Sequence, residues 1–221
     1  SYIPHAVDGD IFKPHTADEV KAWRMSKNLD DKFVCFWNSR NARRKQSGTL
    51  IWWFKDFLDK VGHDNACLIM HTDVKDQHGQ DLEAIIHELG LTDGQVLFSR
   101  DKVDAADLAG MYNMADLTIC ISDAEGFGLS TLESLSCGTP ILVNMTGGLQ
   151  DQVTDGEKFF GIGLQPTSKA IIGSQQVPYI YEDRLNKDDF INALTELYEM
   201  TPEDRGELGM AGRAWTEDRF S

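Results

Sequence analysis

The stretch Leu117-Thr118-Ile119-Cys120-Ile121-Ser122-Asp123-Ala124-Glu125-Gly126-Phe127-Gly128-Leu129-Ser130-Thr131-Leu132-Glu133 decides the fold. Its first five residues form an apolar run, as a buried strand does. A polar loop with two glycines comes next, and the periodicity predicts a helix from Gly128 to Ser136. Gly138-Thr139-Pro140 stops that helix, and Ile141-Leu142-Val143 reads as the next strand. Strand, glycine loop, helix and strand make a βαβ unit, which implies a parallel sheet.

The same alternation extends upstream. Phe33 to Trp37, Ala66 to Met70 and Val96 to Phe98 read as strands. Gly48 to Val61, Asp81 to Leu89 and Asp104 to Met114 read as helices, the last capped by Asp104. Downstream, Tyr179-Ile180-Tyr181 is expected to form a short strand before a helix from Lys187 to Met200. Residues 154–178 are Gly- and Ser-rich and give no clear element. The fold class is therefore α/β, a Rossmann-like parallel sheet with helices on both faces. Residues 1–30 read as a lead-in or linker segment with a short helix, Ala17 to Met25. Residues 31–200 form the α/β domain, and 201–221 form one or two charged terminal helices. No internal repeat is present.

The chain has 221 residues, 21 basic against 36 acidic, a net charge of −15 and 41% hydrophobic residues. That charge argues against binding nucleic acid or an anionic membrane nonspecifically. No run approaches the ~18 apolar residues of a membrane-spanning helix. Cys35, Cys67, Cys120 and Cys137 form no CxxC pair, and three of them sit in apolar runs. They are expected to be core thiols of a protein from a reducing compartment. The six histidines, His5, His15, His63, His71, His78 and His87, lack metal-ligand spacing, and Asp8-Gly9-Asp10 reads as a solvated turn. No metal is expected.

In an open parallel sheet the ligand sits outside the carboxyl ends of the strands. The loop after the first strand, Asn38 to Gln46, holds Arg40, Arg43, Arg44 and Lys45, four of the 21 basic residues. In so acidic a chain this local reversal of sign suits a phosphate. A solvated basic turn, or a patch for a partner, is the other reading of that loop. After the fourth strand, Gly126 and Gly128 let backbone approach a ligand. The helix beginning at Gly128 points free N–H groups and its positive end at the cleft. Glu125 and Glu133 would repel a phosphate, so they are expected to accept hydrogen bonds from hydroxyls. Alone, each reads as a surface charge; together, around Gly126-Phe127-Gly128, they suit the ribose and the sugar that flank a diphosphate.

Glu125-Gly126-Phe127-Gly128-Leu129, the Glu-x7-Glu spacing to Glu133 and the subsequent Cys137-Gly138-Thr139-Pro140 resemble the signature of the retaining glycosyltransferases of family 4, of GT-B fold. Tyr2-Ile3-Pro4-His5-Ala6-Val7-Asp8, Met111-Tyr112-Asn113-Met114-Ala115-Asp116 and Gly147-Gly148 resemble further segments of that family. The resemblance implies that Arg40 and Lys45 grip the donor diphosphate and that Glu125 bonds the donor sugar. It implies that Gly126, Phe127, Gly128, Leu129 and Ser130 line the sugar and phosphate, and that Glu133 holds the ribose. His71 and Phe98 fall where the family builds its base pocket.

Ser39 and Gln46 stand where the family usually has Gly, Ala6 and His71 likewise. The first-strand loop could therefore take another path, with Arg43 or Arg44 sharing the phosphate. The resemblance further implies a nucleotide diphosphate sugar as donor substrate, no cofactor, no metal and retention of configuration. The acceptor is unknown: glycan, lipid or protein. A GT-B enzyme has two such domains, and this chain reads as the carboxy-terminal one. An amino-terminal acceptor domain is expected to be missing, leaving donor binding with little or no transfer. The location expected is cytoplasmic, with any peripheral membrane contact through the missing domain. An apolar patch facing the cleft would mark the lost partner. A non-catalytic nucleotide-sugar binding module, or a nucleotide-sugar epimerase of related fold, is the alternative; no acid/base pair for the latter is apparent.

Overall fold

A computed structural model describes residues 5–220, so the Tyr2-Ile3-Pro4 part of the first motif lies outside the described residues. The chain opens with α1 (Ala17–Ser26), whose start is fixed by reciprocal hydrogen bonds between Thr16 and Glu19. It continues as β1 (Phe33–Asn38), α2 (Ser47–Val61), β2 (Ala66–His71), α3 (Leu82–Glu88) and β3 (Val96–Ser99). Then come α4 (Ala105–Met114), β4 (Leu117–Cys120), α5 (Leu129–Ser136), β5 (Ile141–Asn144) and α6 (Leu149–Val153). The last elements are β6 (Gly161–Leu164), β7 (Ser168–Ile171), β8 (Tyr181–Arg184), α7 (Lys187–Glu199) and α8 (Pro202–Arg219).

Strands β1 to β6 form one parallel sheet in the order β3-β2-β1-β4-β5-β6. Both faces are covered, which is why these strands read as continuous apolar runs. Phe33, Cys35, Trp37, Leu68 and Met70 pack on one face, with Phe54 and Phe57 of α2 and Phe190 of α7. Val34, Phe36, Cys67 and Ile69 pack on the other, with Phe12 and with Ala109 and Tyr112 of α4. Each fully buried side chain of this size contributes roughly 1.5–3 kcal/mol. All four cysteines are buried and free. Among the described residues no helix is long and apolar enough to cross a membrane.

Two segments differ from the sequence reading. Residues 154–178 contain the sixth strand. Gly161 (φ +146°) lies so close to β5 that an added Cβ would sit 1.8 Å from the Ile141 carbonyl oxygen. Only glycine fits there, and glycine carries no strand signal. The strand expected at Tyr179-Ile180-Tyr181 is instead Tyr181–Arg184, and it joins no part of the large sheet. It pairs antiparallel with β7 as a separate ribbon. Its inward residue is a buried glutamate, Glu182, ion-paired with Arg43 (2.6 Å) and Arg184 (2.8 Å). A strand held by ion pairs shows no apolar alternation. The ribbon leaves Ile171, Val177, Tyr179 and Tyr181 exposed.

Strand order reverses between β1 and β4, so the crevice for a ligand opens at their carboxyl ends. The loops after these two strands carry the residues singled out above.

Candidate functional site

The loop after β1 ends in a tight turn, Arg43–Lys45, and then Gln46, which adopts a left-handed conformation (φ 59°, ψ 37°). A non-glycine residue there is strained by roughly 1–2 kcal/mol. Hydrogen bonds hold its side chain: the amide nitrogen donates to Asp123 Oδ2 (2.7 Å), and the amide oxygen accepts from the Thr49 hydroxyl (2.6 Å). The Asp123 N–H donates to the Arg44 carbonyl (2.8 Å). The glycine usual at this position in the resembling family is thus replaced by a clamped glutamine with a glycine's conformation.

Between the two loops lies a cavity of about 420 Å³, lined by Asn38, Ser39 and Lys45 from the first loop and by Glu125, Phe127, Gly128, Leu129, Ser130 and Glu133 from the second loop and α5. His5 and Leu108 complete it. Helix α5 starts at Gly128 (φ 87°) with no side-chain cap. Its first N–H groups therefore have no side-chain partner, and such a helix start favours an anion. Gln152 donates to the Phe127 (2.6 Å) and Gly128 (3.0 Å) carbonyls and so fixes the turn.

Lys45 forms an ion pair with Glu125. Both side chains are nearly sheltered, 12% and 11% exposed, so dissolved salt screens the pair only weakly. Arg44 stands 3.8 Å from the same carboxylate and donates to the Ala124 carbonyl (2.7 Å). Glu133 accepts from the Tyr112 hydroxyl (2.7 Å), which accepts from Asn38 Nδ2 (2.9 Å). Burial pushes the Glu133 carboxyl above its ordinary value, and the Tyr112 hydrogen bond partly opposes this. The folded domain thus binds the Glu133 proton more tightly than the unfolded chain does, which adds stability at low pH. That stability is present in full below the ordinary carboxyl value and is lost as pH rises through the raised one. Glu133→Gln is accordingly expected to unfold at a higher temperature than wild type at pH 7 and at nearly the same temperature near pH 4. Equal melting at pH 7 would show that the buried charge costs nothing.

The remaining predicted residues lie off the cavity. Arg40, 60% exposed, pairs with Asp76 (2.8 Å) on the loop after β2. Gly126 supports the loop, its carbonyl accepting from the Gly148 N–H (3.2 Å). His71 and Phe98 lie at the ends of β2 and β3; His71 bonds the Ser99 hydroxyl (2.9 Å), and burial lowers its pKa. The Arg100 guanidinium lies over the Phe98 ring at 5.6 Å. Arg43 is held by Glu182 and does not line the cavity.

Four residues were assigned no role by the sequence alone. Asn38 and Tyr112 hold Glu133, while Asp123 and Glu182 tie the β1 loop to the β4 loop and to β8. Burial pushes the Asp123 carboxyl up. Tyr112 stood in the segment Met111 to Asp116, and Asn38 and Asp123 in the two loops singled out above, whereas Glu182 lay outside any such segment. Among the described residues, no three His, Cys, Asp or Glu side chains converge as metal ligands.

A doubly covered parallel sheet with a cation, two carboxylates and an uncapped helix start at its switch point defines a Rossmann-like domain. Residues 18–215 match the family model described as glycosyl transferases group 1, and the chain belongs to that family. A D-inositol 3-phosphate glycosyltransferase of Arthrobacter sp. is 33% identical over 109 residues, covering 49% of this chain and 25% of that protein. A GDP-mannose-dependent alpha-(1-6)-phosphatidylinositol monomannoside mannosyltransferase of Mycolicibacterium smegmatis is 26% identical over 99% of this chain and 52% of its own length. The chain thus spans about half of such relatives or less.

Among solved structures, sucrose-phosphate synthase of Thermosynechococcus elongatus superposes with a TM-score of 0.74 at 25% identity, over 99% of this chain and 48% of that one. An Anabaena protein, HepE, in complex with UDP and glucose gives 0.74 at 20% identity, over 98% of this chain and 51% of its own. The carboxy-terminal domain of a Francisella tularensis group 1 glycosyl transferase, LpcC, is covered over 98% of its length, with a TM-score of 0.74 at 17% identity. The fold is that of one half of a GT-B enzyme.

Proposed function

We propose that this chain is the donor-binding half of a glycosyltransferase that moves a sugar from a nucleotide diphosphate sugar to an acceptor, with retention and without metal. One observation carries the reading: Lys45, Glu125, Glu133 and the uncapped start of α5 share a single cavity at the sheet's switch point. The mycobacterial relative's GDP-mannose dependence and the UDP and glucose in the Anabaena complex support a nucleotide-sugar donor.

The ion pair suggests an exchange of partners. The incoming diphosphate takes Lys45, and Glu125, released, accepts a hydrogen bond from a hydroxyl of the donor sugar. As the bond from the anomeric carbon to the phosphate oxygen breaks, negative charge grows on the leaving diphosphate; an acceptor hydroxyl oxygen bonds that carbon and its proton passes to the departing phosphate oxygen. Lys45 and the N–H groups of Leu129 and Ser130 meet that charge electrostatically. Arg40 joins them by leaving Asp76. Glu133 takes the ribose, and His71 and Phe98 border the base. The acceptor, a glycan, lipid or protein, is held by an amino-terminal domain.

Thermal unfolding against UDP, GDP and ADP tests the donor site. Ligand at ~100 times its dissociation constant adds about 2.7 kcal/mol, a rise of roughly 5–10 °C for a domain of this size. One nucleotide is expected to give that rise. If none moves the midpoint at millimolar concentration, the donor assignment fails.

A further inference from the structure

The hydroxyl of Tyr112 is held with unusual firmness. The ring is fully buried and meets Phe36 edge-on at 5.1 Å and Phe12 at 6.2 Å. Its main chain is tied by the Thr139 hydroxyl, which donates to the Tyr112 carbonyl (2.7 Å). The phenol is therefore placed by packing on two sides, and burial keeps it protonated.

The direction of its hydrogen bonds is set by the chemistry of its partners. Asn38 Nδ2 can only donate, so it occupies a lone pair of the phenol oxygen. The phenol proton is then left for Glu133 Oε2. This relay runs across three elements, from the end of β1 through α4 to the second turn of α5. Among the described residues Tyr112 is the sole hydrogen-bond donor shown on the Glu133 carboxylate, a group that lines the cavity. A glutamate on a helix has three side-chain torsions, and without a partner its carboxylate samples several orientations. With Oε2 tethered, one orientation is presented.

We infer that Tyr112 is a positioning residue: through its hydroxyl it sets the Glu133 carboxylate to accept the two adjacent hydroxyls of a ribose, and so gives the cavity a preference for ribonucleoside diphosphates. The inference rests on the donor-site reading. Asn38 serves the same end, because it fixes which way the phenol proton points. A structural role for the buried phenol makes a different claim. Its loss would then weaken every nucleotide to the same degree.

The experiment compares UDP, GDP and ADP with their 2′,3′-dideoxy counterparts on wild type and on Tyr112→Phe, by calorimetric titration. Hydrogen bonds to a charged group are worth roughly a 10- to 100-fold change in affinity. Wild type is expected to favour the ribose form of its nucleotide by about that ratio, and Tyr112→Phe to bring the ratio to about threefold or less. Affinity for the dideoxy form is expected to stay within about twofold of wild type, since that form makes no use of Glu133. Should the phenylalanine variant not fold, Asn38→Ala leaves the phenol in place and is expected to lower the ratio in the same direction. An unchanged ratio in the folded variant, or equal loss for both forms, overturns the positioning role while leaving the donor site intact. Equal binding of both forms by wild type overturns it too. If wild type binds no nucleotide, the donor reading itself falls.

Discussion

Lys45→Ala is expected to lower affinity for the nucleotide diphosphate about 30- to 100-fold, or roughly 2–3 kcal/mol, the range for a charge-assisted hydrogen bond in a sheltered place. Two losses combine. A bound diphosphate would lose its sheltered cation, and Glu125, only 11% exposed, would keep Arg44 at 3.8 Å. An acid left unpaired in such a place also destabilises the domain. The two losses separate in Lys45→Ala/Glu125→Ala. The double variant is expected to regain most of the lost melting temperature and none of the diphosphate affinity. Arg40→Ala is the comparison. Its side chain is exposed and held by Asp76, so its effect on affinity is expected to be the smaller of the two. Titration calorimetry of the three variants with the stabilising nucleotide decides it. A Lys45→Ala domain with wild-type affinity removes the lysine from the donor site.

Gly147→Ala is expected to be the most damaging single methyl group in the site. Gly147 has φ +51°, and an added Cβ would lie 1.7 Å from the carbonyl oxygen of Glu125. The left-handed backbone and the forced displacement together cost roughly 2–4 kcal/mol. That corresponds to a fall in melting temperature of about 5–15 °C. The obstacle is the backbone of Glu125 itself, so the loop must shift and carry that carboxylate with it. Response to the nucleotide-sugar is therefore expected to fall more than response to the nucleotide alone. Gly126→Ala makes the contrast within the same loop, because an added Cβ there meets nothing within 4 Å. It is expected to melt within about 1 °C of wild type. Similar melting of the two variants would mean that the close approach at Gly147 is not a constraint.

The first five strands were legible because a strand buried on both faces must be apolar throughout, whatever its neighbours are. The helices between them were legible for the same kind of reason: Asp81 caps α3, Asp104 caps α4, and apolar spacing marks one face. β6 was not legible, since closeness to Ile141 demanded glycine where a strand would show valine. β8 was not, since its inward residue is paired with Arg43 from 139 positions away.

The site divides along the same line. Glu125, Phe127, Gly128 and Glu133 could be read together because one loop and one helix carry them. Lys45 could be read because basic residues cluster after β1. Which basic residue faces the cavity was settled by partners distant in sequence. Asp76 holds Arg40, Glu182 holds Arg43, and Glu125 holds Lys45. Tyr112 and Asn38 acquired a part in the site only when α4 packed beside α5 and β1. Local periodicity and loop chemistry are properties of neighbouring residues, so the sequence by itself determined the elements, the α/β class and the loops that matter. Pairing between charges 36 to 139 residues apart depends on strand order and packing, and only the tertiary structure decided it.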